Sequence, residues 1–150
     1  MLKSKRNSPN NILIVEDDED DYFLIKEAME MAQMNYRHSW VKDGEELMDH
    51  LHRLKKDGKD GTNPSLIILD LNLPKKSGRE ALSEIKSNPE LRSIPVLILT
   101  TSNAREDISR SYDLGVNSFV QKPLRFEQMV EFFSVMNKYW FHFVKLPQEE

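Results

Sequence analysis

The sequence contains no cysteine. That absence excludes disulfides, thiolate metal sites and cysteine nucleophiles. Long hydrophobic runs are missing too. No apolar stretch could span a bilayer, and the basic opening MLKSKRNSPNN is not followed by a signal-type apolar segment. There is no excess of positive charge either: the formal net charge is -4, whereas a general nucleic-acid binder needs a basic face to neutralise phosphates. Internal repeats and low-complexity tracts are absent. What remains is a balanced composition, 39% hydrophobic and 31% charged, in 150 residues, enough for one domain with a real core. The expectation is a cytoplasmic protein with no membrane contact and no nucleic-acid partner.

Five short apolar runs recur along the chain: NILIVE (11–16), YRHSWV (36–41), SLIILD (65–70), IPVLILT (94–100) and NSFVQK (117–122). The first, third and fourth have the composition of fully buried strands, and the second is the weakest signal. Between them lie segments with helical spacing. In 20–33, Phe23, Leu24, Ala28, Met31 and Ala32 are expected on one side; in 44–54, Leu47, Leu51 and Leu54 recur at intervals of four and three. In 77–88, Ala81, Leu82 and Ile85 share a face behind Ser77, an N-cap followed three residues later by Glu80 in a capping-box pattern. Segments 103–114 and 127–145 complete the set, and the polar KKDGKDGTNP (55–64) is expected to be a loop. Alternating strands and helices predict an α/β fold, a parallel five-stranded sheet covered on both faces.

In open sheets of this kind, ligands bind outside the carboxyl ends of the strands. This sequence places unusual chemistry there. Strand one ends in Glu16, Asp17 and Asp18, strand three in Asp70, strand four in Thr100, Thr101 and Ser102, and strand five in Lys122. Carboxylates converging at that density repel one another unless a hard cation neutralises them, and Mg²⁺ suits one or two carboxylates, waters and a phosphate. An amine and hydroxyls opposite the metal are what a transferring phosphoryl group needs. Taken singly, each residue has an ordinary explanation. Acidic residues after a strand serve as N-caps or first-turn helix charges, which accounts for Glu19, Asp20 and Asp21 and is an even alternative for Asp18. Four strand ends supplying acid, acid, hydroxyl and amine are hard to ascribe to chance.

Together ILIVEDD, LIILDLNLPKKSG, IPVLILTTS and FVQKP, in this order and at these intervals, resemble the receiver domain of two-component response regulators over about residues 11–135. The resemblance implies a flavodoxin-like, doubly wound sheet in strand order 2-1-3-4-5 with five helices. It implies Asp70 as phosphoacceptor from a sensor histidine kinase or a small phosphodonor. Mg²⁺ would be bound by Asp17, Asp70 and the backbone carbonyl of Asn72, with Glu16 acting largely through water. Lys122 would pair with the phosphoryl group, and the Lys122–Pro123 bond is a candidate for the cis form. Thr100 would be the switch hydroxyl and Phe119 the rotameric aromatic, with output through the fourth helix, fifth strand and fifth helix. Asn72, Thr101 and Ser102 stand where receivers tune phosphoryl chemistry. Thr101 departs from the alanine or glycine usual there, while Asn72 and Ser102, neither acidic nor an evident base, suggest a long-lived phosphorylated state.

Residues 1–10 are expected to form a flexible N-terminal segment and 11–150 a single receiver domain with an extended C-terminal helix and no effector domain. That helix carries two apolar stripes. Phe126, Met129, Val130, Phe133, Met136 and Trp140 can be buried by the sheet, while Phe132, Val135, Tyr139 and Phe143 need a second partner, most simply another copy of the chain. With LDLNLPKKSGRE, LTTS and SYDLGVN, this tail is similar to stand-alone receivers paired with phytochrome-type histidine kinases, although a kinase of another input type stays open. A haloacid-dehalogenase-type phosphohydrolase would want a second aspartate where Asn72 stands, and an FMN carrier would not place EDDEDD at a phosphate loop. The expectation is a switch rather than an enzyme; an adaptor that keeps only the fold is the alternative.

Overall fold

The computed structural model describes residues 10–57 and 63–147. Five parallel strands form one sheet: β1 (Asn10–Val15), β2 (Tyr36–Val41), β3 (Leu66–Leu69), β4 (Val96–Thr100) and β5 (Ser118–Gln121), in spatial order β2-β1-β3-β4-β5. The helices are α1 (Glu19–Met31), α2 (Gly44–Lys56), α3 (Gly78–Ser87), α4 (Arg105–Leu114) and α5 (Phe126–Met136). This is the expected flavodoxin-like order. β1 begins at Asn10, so the expected N-terminal segment loses its last residue to the sheet, and residues 1–9 lie outside the described residues. The expected loop 55–64 likewise yields its first two residues to α2.

Strand periodicity divides the core into two layers. Leu13, Val15, Ile67, Leu69, Val96 and Ile98 face α2 and α3, where Leu47, Leu51, Ala81 and Ile85 meet them. The alternate residues Ile12, Ile14, Leu66, Ile68, Leu97 and Leu99 face α1 and α5, and meet Ile25, Met29 and Phe133. The apolar face of α1 differs from expectation. Tyr22, Ile25, Ala28 and Met29 are buried, while Phe23, Leu24 and Met31 are exposed. Apolar residues occupy much of this helix's circumference, so periodicity alone admits more than one stripe, and the sheet selects among them.

Caps place the helix starts around the carboxyl ends of the strands. Asp18 accepts from the Asp20 amide at 2.9 Å at the head of α1, and Asp43 from the Glu46 amide at 2.8 Å at the head of α2. At α3 the capping box forms as the sequence implies: Glu80 N–H donates to Ser77 Oγ, and Ser77 N–H to Glu80 Oε1. α4 and α5 have no side-chain cap at their N-termini.

The C-terminal helix is α-helical only to Met136; a π-helical segment (Asn137–Phe143) follows. The apolar stripe of α5 is buried through Met129, Phe133 and Met136, whereas Val135, Tyr139 and Phe143 stand in solvent. The wider winding changes the rotation per residue, so an α-helical stripe extrapolated to Lys145 does not describe the last seven helical positions. Among the described residues, no helix is long and apolar enough to cross a membrane.

Candidate functional site

β3 is buried at every position, and its chain continues directly into Asp70. The Asp70 amide donates to the Val15 carbonyl at 3.2 Å, which ties the carboxylate's backbone to β1. The turn beyond it is held close by Gly78. A Cβ there would overlap the Asp70 carbonyl oxygen, so glycine is what allows α3 to start against the strand end. The Gly78 amide uses this proximity to donate to the Leu71 carbonyl at 3.0 Å.

The Asp70 carboxylate is buried and fully engaged. Oδ1 accepts from Thr100 Oγ1 at 2.8 Å and from the Asn72 amide at 3.1 Å; Oδ2 accepts from Lys122 Nζ at 3.2 Å. Thr100 has no exposed surface. Lys122 is brought in by β5 pairing, its amide donating to the Thr100 carbonyl at 2.7 Å. Its ammonium also donates to Glu16 Oε1 at 2.6 Å and to Asp21 Oδ2 at 2.9 Å. The Lys122–Pro123 bond is trans, as are all peptide bonds among the described residues, which corrects the cis expectation. Trans is the favoured isomer even before proline, by about 0.5–1 kcal/mol, and Lys122 reaches its three carboxylates from that backbone.

Burial sets the electrostatics. It pushes the Glu16 carboxyl up to about 7, against the opposing pull of the Lys122 ammonium. Burial also disfavours the charge on Lys122. There the hydrogen bonds to Glu16 and Asp21 and the charges of Asp70 and Glu16 outweigh it, and its pKa is raised. Three carboxylates sharing one ammonium explain that balance.

Glu16, Asp17 and Asp70 each bring a carboxylate oxygen within 4.8 Å of the other two. Asp17 is exposed while the other two are buried, so the group opens to solvent on one side. Hard oxygen donors of this kind fit a small divalent cation such as Mg²⁺ or Mn²⁺. Asn72 and Thr101 are exposed at the rim, and Ser102 is half-buried. Phe119 is partly buried against the α2–α3 layer, and its amide donates to Tyr112 Oη at 3.1 Å.

Two parts of the site were not read from the sequence. Asp21, read from the sequence as a first-turn helix charge, bonds Lys122 across a separation of 101 residues, which leaves no local signal. Trp40 donates its indole N–H to the Glu16 carbonyl at 2.8 Å and stacks on Tyr22 with ring centroids 3.8 Å apart. Nothing local in β2 announced that support. A further network crosses the rim: Arg79 grips Asp107 through Nε and Nη2, both at 2.8 Å, and Ser102 donates to the same carboxylate at 2.7 Å.

Comparison with known proteins agrees with this arrangement. The family model described as response regulator receiver domain matches residues 12–134. Response regulator Rcp1 of Synechocystis is 36% identical over 146 residues, covering 97% of this chain and 99% of its own. A probable methanogenesis regulatory protein, FilR2, of Methanothrix harundinacea is 38% identical over 93% of this chain and 88% of its own. Among solved structures, Mn²⁺-bound Rcp1 superposes with a TM-score of 0.81 at 37% identity, and a phosphorylated cyanobacterial phytochrome response regulator, RcpA, with 0.80 at 39% identity. Each match covers 93% of this chain and 99% of the other.

Proposed function

Because this chain belongs to the response regulator receiver family, we propose that Asp70 accepts a phosphoryl group from a phosphohistidine of a sensor kinase. The observation that carries the reading is the setting of Asp70: a buried carboxylate at a rigid strand end, bonded by Thr100 and Lys122 and adjoining Glu16 and Asp17. In the transfer, a carboxylate oxygen forms the O–P bond as the P–N bond breaks, and the electron pair leaves on the imidazole. Fixed placement of the nucleophile is the main requirement of such a step. Glu16, Asp17, Asp70 and the Asn72 carbonyl would hold Mg²⁺, which when bound neutralises charge on the phosphoryl oxygens. Lys122 offers a positive charge of its own on Asp70 Oδ2, and Thr100 a hydroxyl already on the carboxylate. The acidic group thus reads as a receiver site rather than as helix charges.

The kinase partner is proposed to be of phytochrome type, on the strength of the likeness to Rcp1 and RcpA; the comparable likeness to FilR2 is the reason to test other kinases beside it. Output is assigned to α4, β5 and α5. Val135, Tyr139 and Phe143, with Phe132, are assigned to contact with a second copy, since three of these four are large apolar side chains standing in solvent.

The test is intact mass after incubation with Mg²⁺ and acetyl phosphate or phosphoramidate, with Asp70→Asn alongside and sedimentation of the same samples. One phosphoryl adduct in the native chain, absent without Mg²⁺ and absent in Asp70→Asn, is expected, with a dimer in the sedimentation profile. An adduct surviving in Asp70→Asn, or none in the native chain from either donor, overturns the acceptor role and moves the adaptor reading ahead. A monomer at all concentrations overturns the second-copy contact.

A further inference from the structure

α4 buries fewer residues than α1, α2, α3 or α5. Its one buried residue is Ser111, which uses its hydroxyl on the Asp107 carbonyl at 2.7 Å within the helix. It has no side-chain N-cap, and its flank toward the site is fixed by Asp107. That carboxylate receives a two-pronged grip from Arg79 in the first turn of α3 and a bond from Ser102 in the loop before α4. Arg79 is not only a tether. Its Nη1 also points to the Leu71 carbonyl, and both Nη atoms lie 3.5 Å from Asn72 Oδ1. Asn72 in turn bonds Asp70 through its amide. The guanidinium is therefore at the rim of the acceptor site, near enough that the Asp70 charge helps raise its pKa after the larger effect of the Asp107 bond.

We infer that the Arg79–Asp107 pair is a latch between the acceptor site and α4, and that Arg79 is a further phosphoryl-binding residue which leaves Asp107 when Asp70 is phosphorylated. This inference rests on the acceptor role proposed for Asp70. A carboxylate offers Arg79 a single negative charge. An aspartyl phosphate brings about -1.5 to -2 and several strong acceptor oxygens to the rim the guanidinium already touches, and guanidinium binds phosphate in the same two-pronged manner as carboxylate. The two anions compete for one cation. Asp107 then keeps Ser102 alone, and α4, with so little buried surface, loses its tie to α3.

The experiment is hydrogen exchange over residues 105–114, before and after phosphorylation with excess acetyl phosphate and Mg²⁺, each sample checked by intact mass. The chains compared are the native one, Asp107→Asn, and the double variant Arg79→Asp with Asp107→Arg. In the native chain, exchange in α4 is expected to rise on phosphorylation by about 5- to 150-fold, the range of ordinary coupling between sites. Asp107→Asn is expected to exchange fast from the start. The exchanged pair restores the tether but puts the cation on α4 and an anion at the rim, so α4 should be protected before phosphorylation and stay so after it. Native exchange unchanged despite the adduct overturns the latch. So does Asp107→Asn indistinguishable from the unphosphorylated native chain, or release of α4 in the double variant equal to the native response. Absence of the adduct in the native chain overturns the acceptor reading together with the inference, whereas an adduct without release in the native chain overturns the inference alone.

Discussion

The region around β1 and β3 and the smaller one formed by α4 and β5 are held together by different physics. In β3 and β4 every residue is buried, and β1 is buried from Ile12 onward. α2 and α3 each put three residues in the core behind a side-chain cap. β5 has no fully buried residue, and α4 has one, a serine. The first region is stabilised by apolar burial, which is non-directional and hard to switch. The second has the β4–β5 ladder and the partly buried Phe119 and Val120, and beyond these it relies on a few named bonds: Arg79 and Ser102 to Asp107, and the Phe119 amide to Tyr112 Oη. Asp70, proposed above as the acceptor, stands on the first, and the output face assigned with it includes the second. Elements that move in switching come from the low-stability end of a fold, because a small free-energy input must be enough to displace them.

The largest expected effect breaks this comparison most directly. Ile67→Ala, at a fully buried centre of β3, should cost about 2–5 kcal/mol of unfolding free energy through lost transfer energy and the cavity left behind. Val120→Ala, at a partly buried position of β5, should cost about 1 kcal/mol, since it removes a fraction of the same burial. Urea unfolding of both variants measures the two losses, and equal losses would mean that the α4–β5 region is packed as firmly as the rest. A smaller effect sharpens the polar side. Tyr112→Phe removes the acceptor of the Phe119 amide and should speed exchange at that amide by about tenfold, one hydrogen bond's worth, while leaving the urea midpoint nearly unchanged. A large global loss would show that Tyr112 supports the whole domain rather than the local edge.

The same division governs what could be read from the sequence. The strand ends Glu16, Asp17, Asp70, Thr100 and Lys122 were legible because a buried strand is a local pattern, and a parallel sheet brings its carboxyl ends to one edge whatever the details. The capping box at Ser77 was legible for the same reason, its partners being three residues apart. What escaped depends on contacts across the chain. Asp21 reaches Lys122 over a sequence separation of 101 residues, and Arg79 reaches Asp107 over 28. Neither pair leaves a periodic trace. The buried face of α1 was misassigned because its apolar residues nearly encircle it, so only the sheet decides which of them face inward. The π-helical end escaped because an aromatic-rich tail has the same composition in either winding.

The smallest expected effect concerns a single proton and tests the polar tie by itself. Hydrogen bonds from Arg79 and Ser102 hold the Asp107 carboxyl at about 2, below its ordinary value of 3.8. A depressed carboxylate pKa means that the folded state favours the charged form. The resulting stability is fully present above the ordinary value and is lost as pH falls through the folded one. A ¹³C-detected titration of the Asp107 carboxyl should therefore show a midpoint near 2, with α4 loosening only below about pH 4 and β1 and β3 unaffected over that interval. Arg79→Ala should bring the midpoint back up toward the ordinary value, because it removes the larger of the two causes, while Ser102→Ala should move it less. If Ser102→Ala shifted it further than Arg79→Ala, the hydroxyl and not the guanidinium would be the main tie on α4. The contrast between a region held by burial and one held by charge would then rest on a neutral donor, which an incoming phosphoryl group attracts less strongly than a guanidinium.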